Sequence, residues 1–539
     1  MKLEEVSFKN LPVNQIFQTY LEDYSRLEGF YSHPPEALTK LNGSVDYNTG
    51  KVNRDRLKQL LRQINEKYGA EAKAFERIDQ LKNREAKVIV TGQQMIVLGG
   101  PLFLIYKAIS VMIWARHIEE NTGKPVIPVF WLADEDHDID EVTKIALPDG
   151  DNIEELQLDF DPEVRHSIGS DKPVAEAIES LIEKIFEILP ETEFSEELRS
   201  LVQSCYVSGN LKEGFARLIV RLFSKHGLVI AESNNPEIKK ELSAPICRAV
   251  TLSAEINEEL ESRSAEIDAK FHRQAQVQPS TLFMHDPENG RVRLDRINGS
   301  WSTESGGSWS TEELCELAEK KPWRFSPNVF LRPVLQDWLL PTIGYVAGPG
   351  EVAYYAQMGK IYPIFDQNMP AILPRYSATI VEPAIRRIMA DLPFEMTNYA
   401  RRIEDLEKEY LEWSTPDDLD QHFSRWQEEI EQLTKQRMGV IKKYDPSLEA
   451  SAEKMTVNFN KSIEKLHQKL RKSLRNTDEI QLKRTRRIKQ ALFPDNTMQE
   501  RHISWLYFAN KFGLNFWDEL LNEWNTEHYY PNKHWLIHP

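Results

Sequence analysis

Short apolar runs separated by longer helical stretches constrain the fold of this chain more than any other feature. The runs that we interpret as strands lie at residues 87–91, 126–133 and 227–231, with further candidates at 329–334 and 361–365. Residues 98–116, after the first run, are long and apolar enough for a buried helix. Continuous apolar strands that alternate with helices are typical of a parallel sheet covered on both faces. The sequence therefore predicts an α/β fold.

The length of 539 residues exceeds what one hydrophobic core normally organises, so we expect several domains. Residues 1–385 contain all the strand candidates and form the predicted core. Two polar stretches, near residues 160–226 and 255–325, interrupt this core as inserts. Residues 386–500 are predicted to form a helical arm, and residues 501–539 to pack back on the core.

The predicted arm carries apolar residues at helical spacing on both sides of a break at Asp445 and Pro446. The two seams consist of Phe423, Trp426, Ile430 and Leu433, and of Ile463, Leu466 and Leu470. Two amphipathic helices joined at a proline turn form an antiparallel hairpin. Arms of some forty-five residues span roughly 65 Å, too far to cover both seams within one chain. We therefore predict that this coiled coil joins two chains in a homodimer.

The net charge of −17, with 28% charged and 41% hydrophobic residues, indicates an ordinary globular protein. A charge of this sign argues against nucleic acid or an anionic membrane as the main partner. The chain shows neither an export signal at its start nor an apolar stretch that would cross a membrane. Cys205, Cys247 and Cys315 have no short spacing, so we expect no disulfide framework and no thiolate zinc site. These features together predict a cytoplasmic protein.

An acidic cluster follows the second predicted strand, in the segment FWLADEDHDID of residues 130–140. Ligands of open α/β sheets bind beyond the carboxyl ends of the strands. Crowded carboxylates raise one another's pKa toward the range of a general base, and histidine titrates near neutrality. We assign Asp134, Asp136 and His137 to catalysis, with a solvated acidic loop as the alternative. No HExxH pattern and no cluster of Cys and His supports a metal site.

Glycines and amides follow the first predicted strand. Glycines between a strand and a helix let backbone N–H groups approach an anion at the helix start. We assign Gly99 and Gly100 to nucleotide binding, and the side chains of Gln93 and Gln94 to substrate binding. The motif matches neither a Walker loop nor GxGxxG, and a tight turn before the helix is the alternative.

Two later segments also combine polar groups with glycine or proline. The segment GPGE begins at Gly348 and runs into aromatic residues, a combination that suits an adenine or sugar pocket. We assign Gly348 to the nucleotide, and Glu351 and Tyr354 to the substrate. In the segment LPRYSA, Arg375 and Ser377 suit a phosphate or a carboxylate, and we assign both to the nucleotide. A structural turn and an ordinary surface loop are the respective alternatives.

A basic run, KRTRRIK, occupies residues 483–489 and is followed by the segment FPDNTMQER. A basic run on a helix is most often a solvated face. In so acidic a chain it also suits an anion or nucleotide site. The residues that we assign to nucleotide binding in this region are Arg487, Phe493, Gln499 and Arg501.

Taken together, these segments resemble the BshC family, the cysteine-adding ligases of bacillithiol synthesis. The resemblance spans essentially the whole chain and rests on VTGQQMIVLGGPLFLIYK, FWLADEDHDIDEV, GPGEVAYYAQ, PRYSATIVEP and LFPDNTMQER. It implies a Rossmann-type core related to class I aminoacyl-tRNA synthetases. It also implies two connecting inserts in that core and a helical coiled-coil domain that mediates dimerisation.

The implied reaction joins the carboxyl group of L-cysteine to the amine of glucosaminyl-malate. Amide formation from a carboxylate requires activation, so ATP is the expected co-substrate, and its cleavage to ADP or to AMP stays open. Whether magnesium takes part as a cofactor also stays open. The absence of clustered cysteines argues against zinc as a cofactor.

Within this reaction, we expect Asp134, Asp136 or His137 to deprotonate the amine. We expect Lys107 and the two neighbouring glutamines to bind the malate group. Two functions of other classes stay open. The chain suits a sugar-nucleotide-dependent transferase on the same type of sheet, or a non-catalytic dimeric scaffold.

Overall fold

A computed structural model gives the fold of most of the chain. The described residues are 1–34, 50–135, 142–159, 175–207, 209–286, 288–297, 299–414, 419–527 and 532–539. They divide into two compact units. The core unit comprises Met1–Val381 and Thr497–Pro539, and the helical unit comprises Glu382–Asn496. The sequence had suggested divisions after residues 385 and 500.

All the strands of the described residues belong to the core unit. They are β1 (Lys2–Val6), β2 (Lys87–Gln93), β3 (Val126–Leu132), β4 (Lys144–Asp149), β5 (Asn152–Gln157), β6 (Val229–Glu232), β7 (Leu282–Asp286), β8 (Gly290–Ile297), β9 (Ser300–Thr303), β10 (Ser308–Trp309), β11 (Phe325–Pro327), β12 (Thr342–Ala347), β13 (Ala371–Pro374), β14 (Ser377–Ile380) and β15 (His534–His538).

The helices occur in both units, and the helical unit holds α14 to α17. They are α1 (Gln15–Glu22), α2 (Arg54–Lys67), α3 (Ala72–Asp79), α4 (Phe103–Thr122), α5 (Ala175–Ile188), α6 (Ser195–Tyr206), α7 (Leu211–Phe223), α8 (Pro236–Glu241), α9 (Ser243–Thr251), α10 (Ser253–Asp268), α11 (Thr311–Lys320), α12 (Leu331–Leu339), α13 (Pro349–Tyr355), α14 (Pro383–Met389), α15 (Ile403–Ser414), α16 (Leu419–Tyr444), α17 (Glu449–Leu492), α18 (Gln499–His502), α19 (Trp505–Phe512) and α20 (Asn515–Glu527).

A five-stranded parallel sheet in the order β13–β12–β2–β3–β6 organises the core unit. Val90 of β2 lies between Val129 of β3 and Tyr345 of β12. Every residue of β3 is buried, and α4 packs on β2 and β3. β-branched and aromatic side chains favour such fully covered strands because they pack on both faces of the pleated surface. The predicted α/β fold with a parallel sheet is confirmed.

Two of the strand predictions are wrong. Residues 329–334 lie largely in α12, and residues 361–365 end in a short 3-10 turn at Pro363–Phe365. Asn328 explains the first error, since its side chain accepts hydrogen bonds from two backbone N–H groups and so starts a helix there. Strand β12 and the edge strand β13, which sequence reasoning missed, complete that side of the sheet.

The predicted inserts take two different forms. The first contains α5, α6 and α7, and its residues 160–174 lie outside the described residues. The second begins in α10 and continues into an antiparallel sheet in the order β10–β9–β8–β7–β11. A third sheet joins distant parts of the chain, since β15 lies between β1 and β14.

Cys247 of α9 and Cys315 of α11 form a disulfide bond, with their Cα atoms 4.7 Å apart. The sequence had suggested no disulfide framework, and this pair corrects the expectation. Sixty-eight residues separate the two cysteines, so their spacing alone does not reveal that they meet. Cys205 is buried and unpaired.

The helical unit contains the predicted antiparallel hairpin, formed by α16 and α17 with a break at Asp445. Phe423 stacks on His467 with ring centroids 4.4 Å apart, which fixes the register of the two helices. Leu433 and Leu466 stay about half exposed, at 51% and 49%. Part of each predicted seam is therefore uncovered within one chain. Residues 415–418, between α15 and α16, lie outside the described residues.

Within the described ranges, no helix combines the length and the apolar character that crossing a membrane requires.

Candidate active site

A cavity of about 490 Å³ opens beyond the carboxyl ends of the parallel strands. Gly92 and Gln93 at the end of β2, Ala133 after β3 and Gly348 after β12 all line it. The second insert contributes Arg291 and thereby closes one side. The other lining residues are Gln94, Phe103, Lys107, Glu135, Ser233, Gln274, Ala275, Pro327, Asn328, Val329, Arg332, Pro349, Gly350, Glu351, Tyr354, Arg375 and Arg501.

Cationic side chains outnumber carboxylates around this cavity by five to two among the described lining residues. The cations are Lys107, Arg291, Arg332, Arg375 and Arg501, and the carboxylates are Glu135 and Glu351. In a chain with a net charge of −17, such a local surplus of positive charge is a specific feature. It indicates a site for an anionic ligand.

Lys107 and Glu351 form a buried ion pair with Nζ and Oε2 2.6 Å apart. Gln93 accepts a further bond from the Lys107 Nζ at 3.1 Å. Tyr345 and the N–H of Gly348 donate hydrogen bonds to Glu351, at 2.8 and 2.7 Å. Burial raises the pKa of Glu351, but Lys107 and these donors outweigh this effect and hold the pKa below its usual range. Glu351 is therefore a permanent anion whose oxygens are both occupied.

Arg375 is buried and held in place by Glu500, with Nη2 and Oε1 2.6 Å apart. Its second terminal nitrogen donates to the carbonyl oxygen of Tyr376 at 2.9 Å. The Nε–H, in contrast, has no hydrogen-bond partner among the described residues. A Cβ atom on Gly348 would lie 3.4 Å from this nitrogen, so the glycine keeps space open beside an unused donor.

Arg332 lies in the first turn of α12 and was not among the predicted site residues. Its guanidinium donates to the hydroxyl of Tyr354 at 2.9 Å and approaches Gln336 at 3.5 Å. Neither Arg332 nor Arg501 forms an ion pair with a described carboxylate, and the Arg501 side chain is exposed. These two arginines are the least neutralised cations of the cavity wall.

Asp134 and Glu135, the first two residues of the acidic cluster, lie in different surroundings. Asp134 is fully buried and does not line the cavity. Ser233 and the N–H of Asn234 donate hydrogen bonds to its Oδ1, at 2.6 and 2.7 Å, and Lys212 lies 3.4 Å from its Oδ2. Asp134 therefore ties the turn after β3 to the turn after β6. The predicted catalytic residues Asp136 and His137 lie outside the described residues.

Glu135 faces the cavity and was not among the predicted site residues. Its Oε1 is paired with the buried ammonium group of Lys239, which also donates to the carbonyl oxygen of Phe325 at 2.7 Å. Burial raises the pKa of Glu135 above its usual range, although Lys239 opposes this effect. A carboxyl group with a raised pKa in a cavity is a candidate acid–base group.

No group of three or more His, Cys, Asp and Glu side chains in the described part of the chain is arranged to hold a metal ion.

Comparison with known proteins decides the family. A family model described as Bacillithiol biosynthesis BshC, N-terminal Rossmann-like domain, matches residues 1–376. A second model, for the C-terminal coiled-coil domain of BshC, matches residues 378–538. The chain belongs to the BshC family. This membership confirms the Rossmann-like core, the coiled-coil domain and the prediction of an enzyme of the ligase class.

Relatives named "Putative cysteine ligase BshC" match most of the chain. One from Koribacter versatilis (strain Ellin345) is 32% identical over 521 residues, 95% of this chain and 96% of its own length. One from Bacillus cereus (strain G9842) is 31% identical over 480 residues, 87% of this chain and 89% of its own. One from Bacillus cytotoxicus is 28% identical over 542 residues, 98% of this chain and 99% of its own.

The glycines that begin α4 play a packing role in this BshC-family chain. The N–H groups of Gly99 and Gly100 donate to the carbonyl oxygens of Ile96 and Val97, both at 3.0 Å. A Cβ atom on Gly99 would lie 2.6 Å from Nε1 of Trp505. Neither glycine lines the cavity. Their assignment to nucleotide binding is corrected, because their amides are already bonded within the turn.

Two other predicted nucleotide contacts are also occupied elsewhere. The hydroxyl of Ser377 donates to Glu500 at 2.9 Å and lies 2.8 Å from Nδ1 of His534. The Gln499 amide bonds both backbone groups of Ile380, at 2.8 and 3.0 Å. Neither side chain lines the cavity, so both stabilise β14 rather than bind a ligand there.

The remaining assignments divide between the cavity and the helical unit. Arg487 and Phe493 belong to the helical unit, and their role in nucleotide binding stays a prediction. The predicted residues that the structure brings together around the cavity are Gln93, Gln94, Lys107, Gly348, Glu351, Tyr354, Arg375 and Arg501.

Proposed function

We propose that this chain joins the carboxyl group of L-cysteine to the amine of glucosaminyl-malate, with ATP driving the activation of the carboxyl group. The family takes part in bacillithiol biosynthesis, and the matching relatives carry the name of a cysteine ligase. A cavity at the strand ends of a Rossmann-like core supports a reaction between small molecules. The cytoplasm is the compartment that we propose, since it supplies ATP and free cysteine.

The observation that carries this proposal is the surplus of cations around the cavity. Arg332 and Arg501 have no carboxylate partner in the described chain, and Arg375 keeps an unused Nε–H. Glucosaminyl-malate has two carboxylates on its malate group. A guanidinium group binds a carboxylate through two parallel hydrogen bonds. We therefore assign malate recognition to Arg332, with Gln93 and Gln94 as neighbouring polar contacts.

The same cations suit the phosphates of ATP, because phosphate and carboxylate present similar oxygen acceptors. Gly348, Arg375 and Arg501 remain the proposed nucleotide contacts of the cavity. Magnesium would accompany the nucleotide, held mainly by its phosphate oxygens. We also propose that the enzyme works as a homodimer through its coiled coil, since α16 and α17 leave apolar side chains exposed.

Incubation of the purified protein with ATP, L-cysteine and glucosaminyl-malate tests this proposal. We expect a product whose mass equals that of both substrates less one water, together with stoichiometric cleavage of ATP. Separate assays for phosphate and pyrophosphate distinguish an acyl phosphate from an acyl adenylate. A reaction that proceeds with a nucleotide-sugar and not with ATP would overturn the proposal, and so would the absence of ligation.

A further inference from the structure

The cavity wall has two described carboxylates, Glu135 and Glu351. They differ because one oxygen of Glu135 accepts no hydrogen bond from a described residue. Both oxygens of Glu351 accept hydrogen bonds from fixed donors. Lys239 contacts only Oε1 of Glu135, and no described residue donates a hydrogen bond to Oε2. Among the described lining residues, Glu135 is thus the carboxylate with an oxygen left for a ligand.

We propose that Glu135 is the general base of the ligation and takes the proton from the amine of the amino sugar. This inference rests on the proposed function and deepens it by naming the group that activates the nucleophile. Asp134 anchors the turn, since residues after β6 hold its Oδ1, and this anchor directs the next side chain into the cavity.

The charged groups that face Glu135 come from three elements. Lys239 lies on α8, Arg291 lies on β8, and Asp134 precedes Glu135 in the turn after β3. Burial raises the pKa of Glu135, Lys239 and Arg291 oppose this effect, and Asp134 adds to it. The resulting pKa lies above the usual range of a glutamate. Such a base is better matched to an ammonium group near neutral pH than an ordinary surface carboxylate.

Lys239 keeps this base in position. Its ammonium group is fully buried and bridges Glu135 to the carbonyl oxygen of Phe325 in β11. The second insert therefore takes part in aligning the base. A fixed counter-ion also limits the rotation of the carboxyl group, which leaves Oε2 as the atom that meets the substrate.

An N–H bond of the ammonium group breaks, its proton moves to Oε2 of Glu135, and the electron pair stays on nitrogen. This pair forms the C–N bond with the activated carboxyl carbon of cysteine, an acyl phosphate or acyl adenylate made from ATP. The phosphate or nucleotide leaves with the electrons of its C–O bond. A second proton passes from nitrogen to the departing phosphate group or to water, which gives the neutral amide.

Steady-state ligation by a Glu135→Gln variant is the first test. We expect kcat/KM to fall by about 10²–10⁴-fold, and the acid limb of the wild-type pH profile to disappear with the titrating group. Glu241→Gln is the matched control, because Glu241 is the last residue of α8, the helix that carries Lys239, but it pairs with Arg56 and does not line the cavity. It should keep the wild-type rate. A Glu135→Gln variant with the wild-type rate and pH profile would overturn the assignment.

A double variant distinguishes a catalytic role of Glu135 from a role as counter-ion of Lys239. Glu135→Gln leaves Lys239 as a buried cation without its partner, which is costly by itself. Glu135→Gln combined with Lys239→Met removes both charges, so it should restore the thermal stability while the ligation rate stays low. If the double variant instead recovers the wild-type rate, Glu135 is only the counter-ion of Lys239 and the proposal fails.

Ligand binding without ATP distinguishes failure of this inference from failure of the proposed function. The probes are glucosaminyl-malate and its N-acetylated form, titrated calorimetrically into the full-length protein. We expect the wild type to prefer the free amine by at least about tenfold, and Glu135→Gln to bind both forms equally. A preference retained in Glu135→Gln overturns the role of Glu135 alone. A wild type that neither binds nor ligates the amine overturns both proposals.

Discussion

At the scale of single residues, the cavity wall contains two kinds of cation. Lys107 and Arg375 are neutralised by Glu351 and Glu500, and they are held rigidly by these partners. Arg332 donates to a tyrosine hydroxyl instead and keeps its full charge. The first kind shapes the cavity and offers a ligand only the unused Nε–H of Arg375, whereas the second kind has no carboxylate partner and is available for an anionic ligand.

Replacement of Arg332 by alanine should weaken the binding of malate used as a probe. The loss of hydrogen bonds to a charged group costs about 1.5–3 kcal/mol, which corresponds to a Kd increase of roughly 10- to 150-fold. Isothermal titration with the full-length variant measures this change. Arg116→Ala is the control, since Arg116 pairs with Glu120 on the exposed side of α4. Equal malate binding by wild type and Arg332→Ala would contradict the prediction.

Asp337 should make the stability of the core unit depend on pH. Burial raises its pKa to about 7, and Tyr362 and Gln336 donate hydrogen bonds to it at 2.8 and 3.1 Å. The folded state therefore retains a proton that the unfolded chain releases near pH 3.8, the ordinary pKa of an aspartate. The stabilisation is complete below that lower value and is lost as the pH rises through about 7.

An Asp337→Asn variant tests this dependence because it stays neutral at every pH. Between pH 5 and pH 8 the wild type should lose up to about 3 kcal/mol more stability than the variant. Urea unfolding at both pH values measures the difference. The contributions of the other titrating groups to the pH dependence cancel when the two proteins are compared, since both proteins contain these groups. Parallel pH profiles of the two proteins would show that Asp337 is ionised in the folded state.

Sequence reasoning located Gln93 and Gln94, which come just after the predicted apolar run of residues 87–91, although their roles stay predictions. A polar residue after a buried strand marks the binding edge of a parallel sheet. Arg332 was missed because residues 329–334 were interpreted as a strand. Glu135 was passed over for its neighbour Asp134, since the chain turns immediately after β3 and the direction of each side chain is set by contacts with the turn after β6.

At the scale of elements, the turn that begins α4 shows why a glycine motif did not indicate a phosphate site. Gly100 has a φ of +61°, and a Cβ atom there would lie 2.5 Å from Cγ2 of Ile96. Trp505 donates its indole N–H to the carbonyl oxygen of Leu98 at 2.8 Å. The glycines therefore allow the turn to pack closely against α19. No sequence pattern within the turn itself reveals this contact.

A Gly100→Ala variant should be destabilised by about 2–5 kcal/mol, because backbone strain and a steric clash add together. Gly123→Ala is the matched control. Gly123 also has a positive φ, +65°, but a Cβ atom there would meet nothing within 4 Å. Its substitution should cost only about 1–2 kcal/mol. Urea unfolding of both variants provides the test, and equal losses would show that the contact with Ile96 relaxes freely.

Strand β12 shows a different limit of prediction from sequence. Its sequence, TIGYVA, contains a glycine and a polar residue, so it lacks the continuous apolar character of β3. The strand forms nevertheless because β2 and β13 pair with it on both sides. Tertiary pairing outweighs the weak local preference of these residues.

At the scale of the whole molecule, the uncovered seam of the helical unit supports self-association. Leu433 and Leu466 are about half exposed although both belong to the predicted apolar seams. A double Leu433→Glu and Leu466→Glu variant should dissociate a coiled-coil dimer, since charged side chains in the seam lose the favourable burial. Sedimentation velocity should give a mass of about twice 62.7 kDa for the wild type and 62.7 kDa for the variant. Gln432→Glu, at an exposed polar position, is the control. A monomeric wild type would contradict the prediction.

The sheet β1–β15–β14 has a consequence for the synthesis of the protein. Val6 of β1 pairs with His534, about 530 residues later in the chain. At translation rates of about 5–20 residues per second, β1 waits roughly half a minute to nearly two minutes for its partner strand. The helical unit, residues 382–496, emerges from the ribosome before β15. Newly made chains therefore carry an unpaired strand edge until β15 has emerged, and this edge is a target for chaperones during that interval.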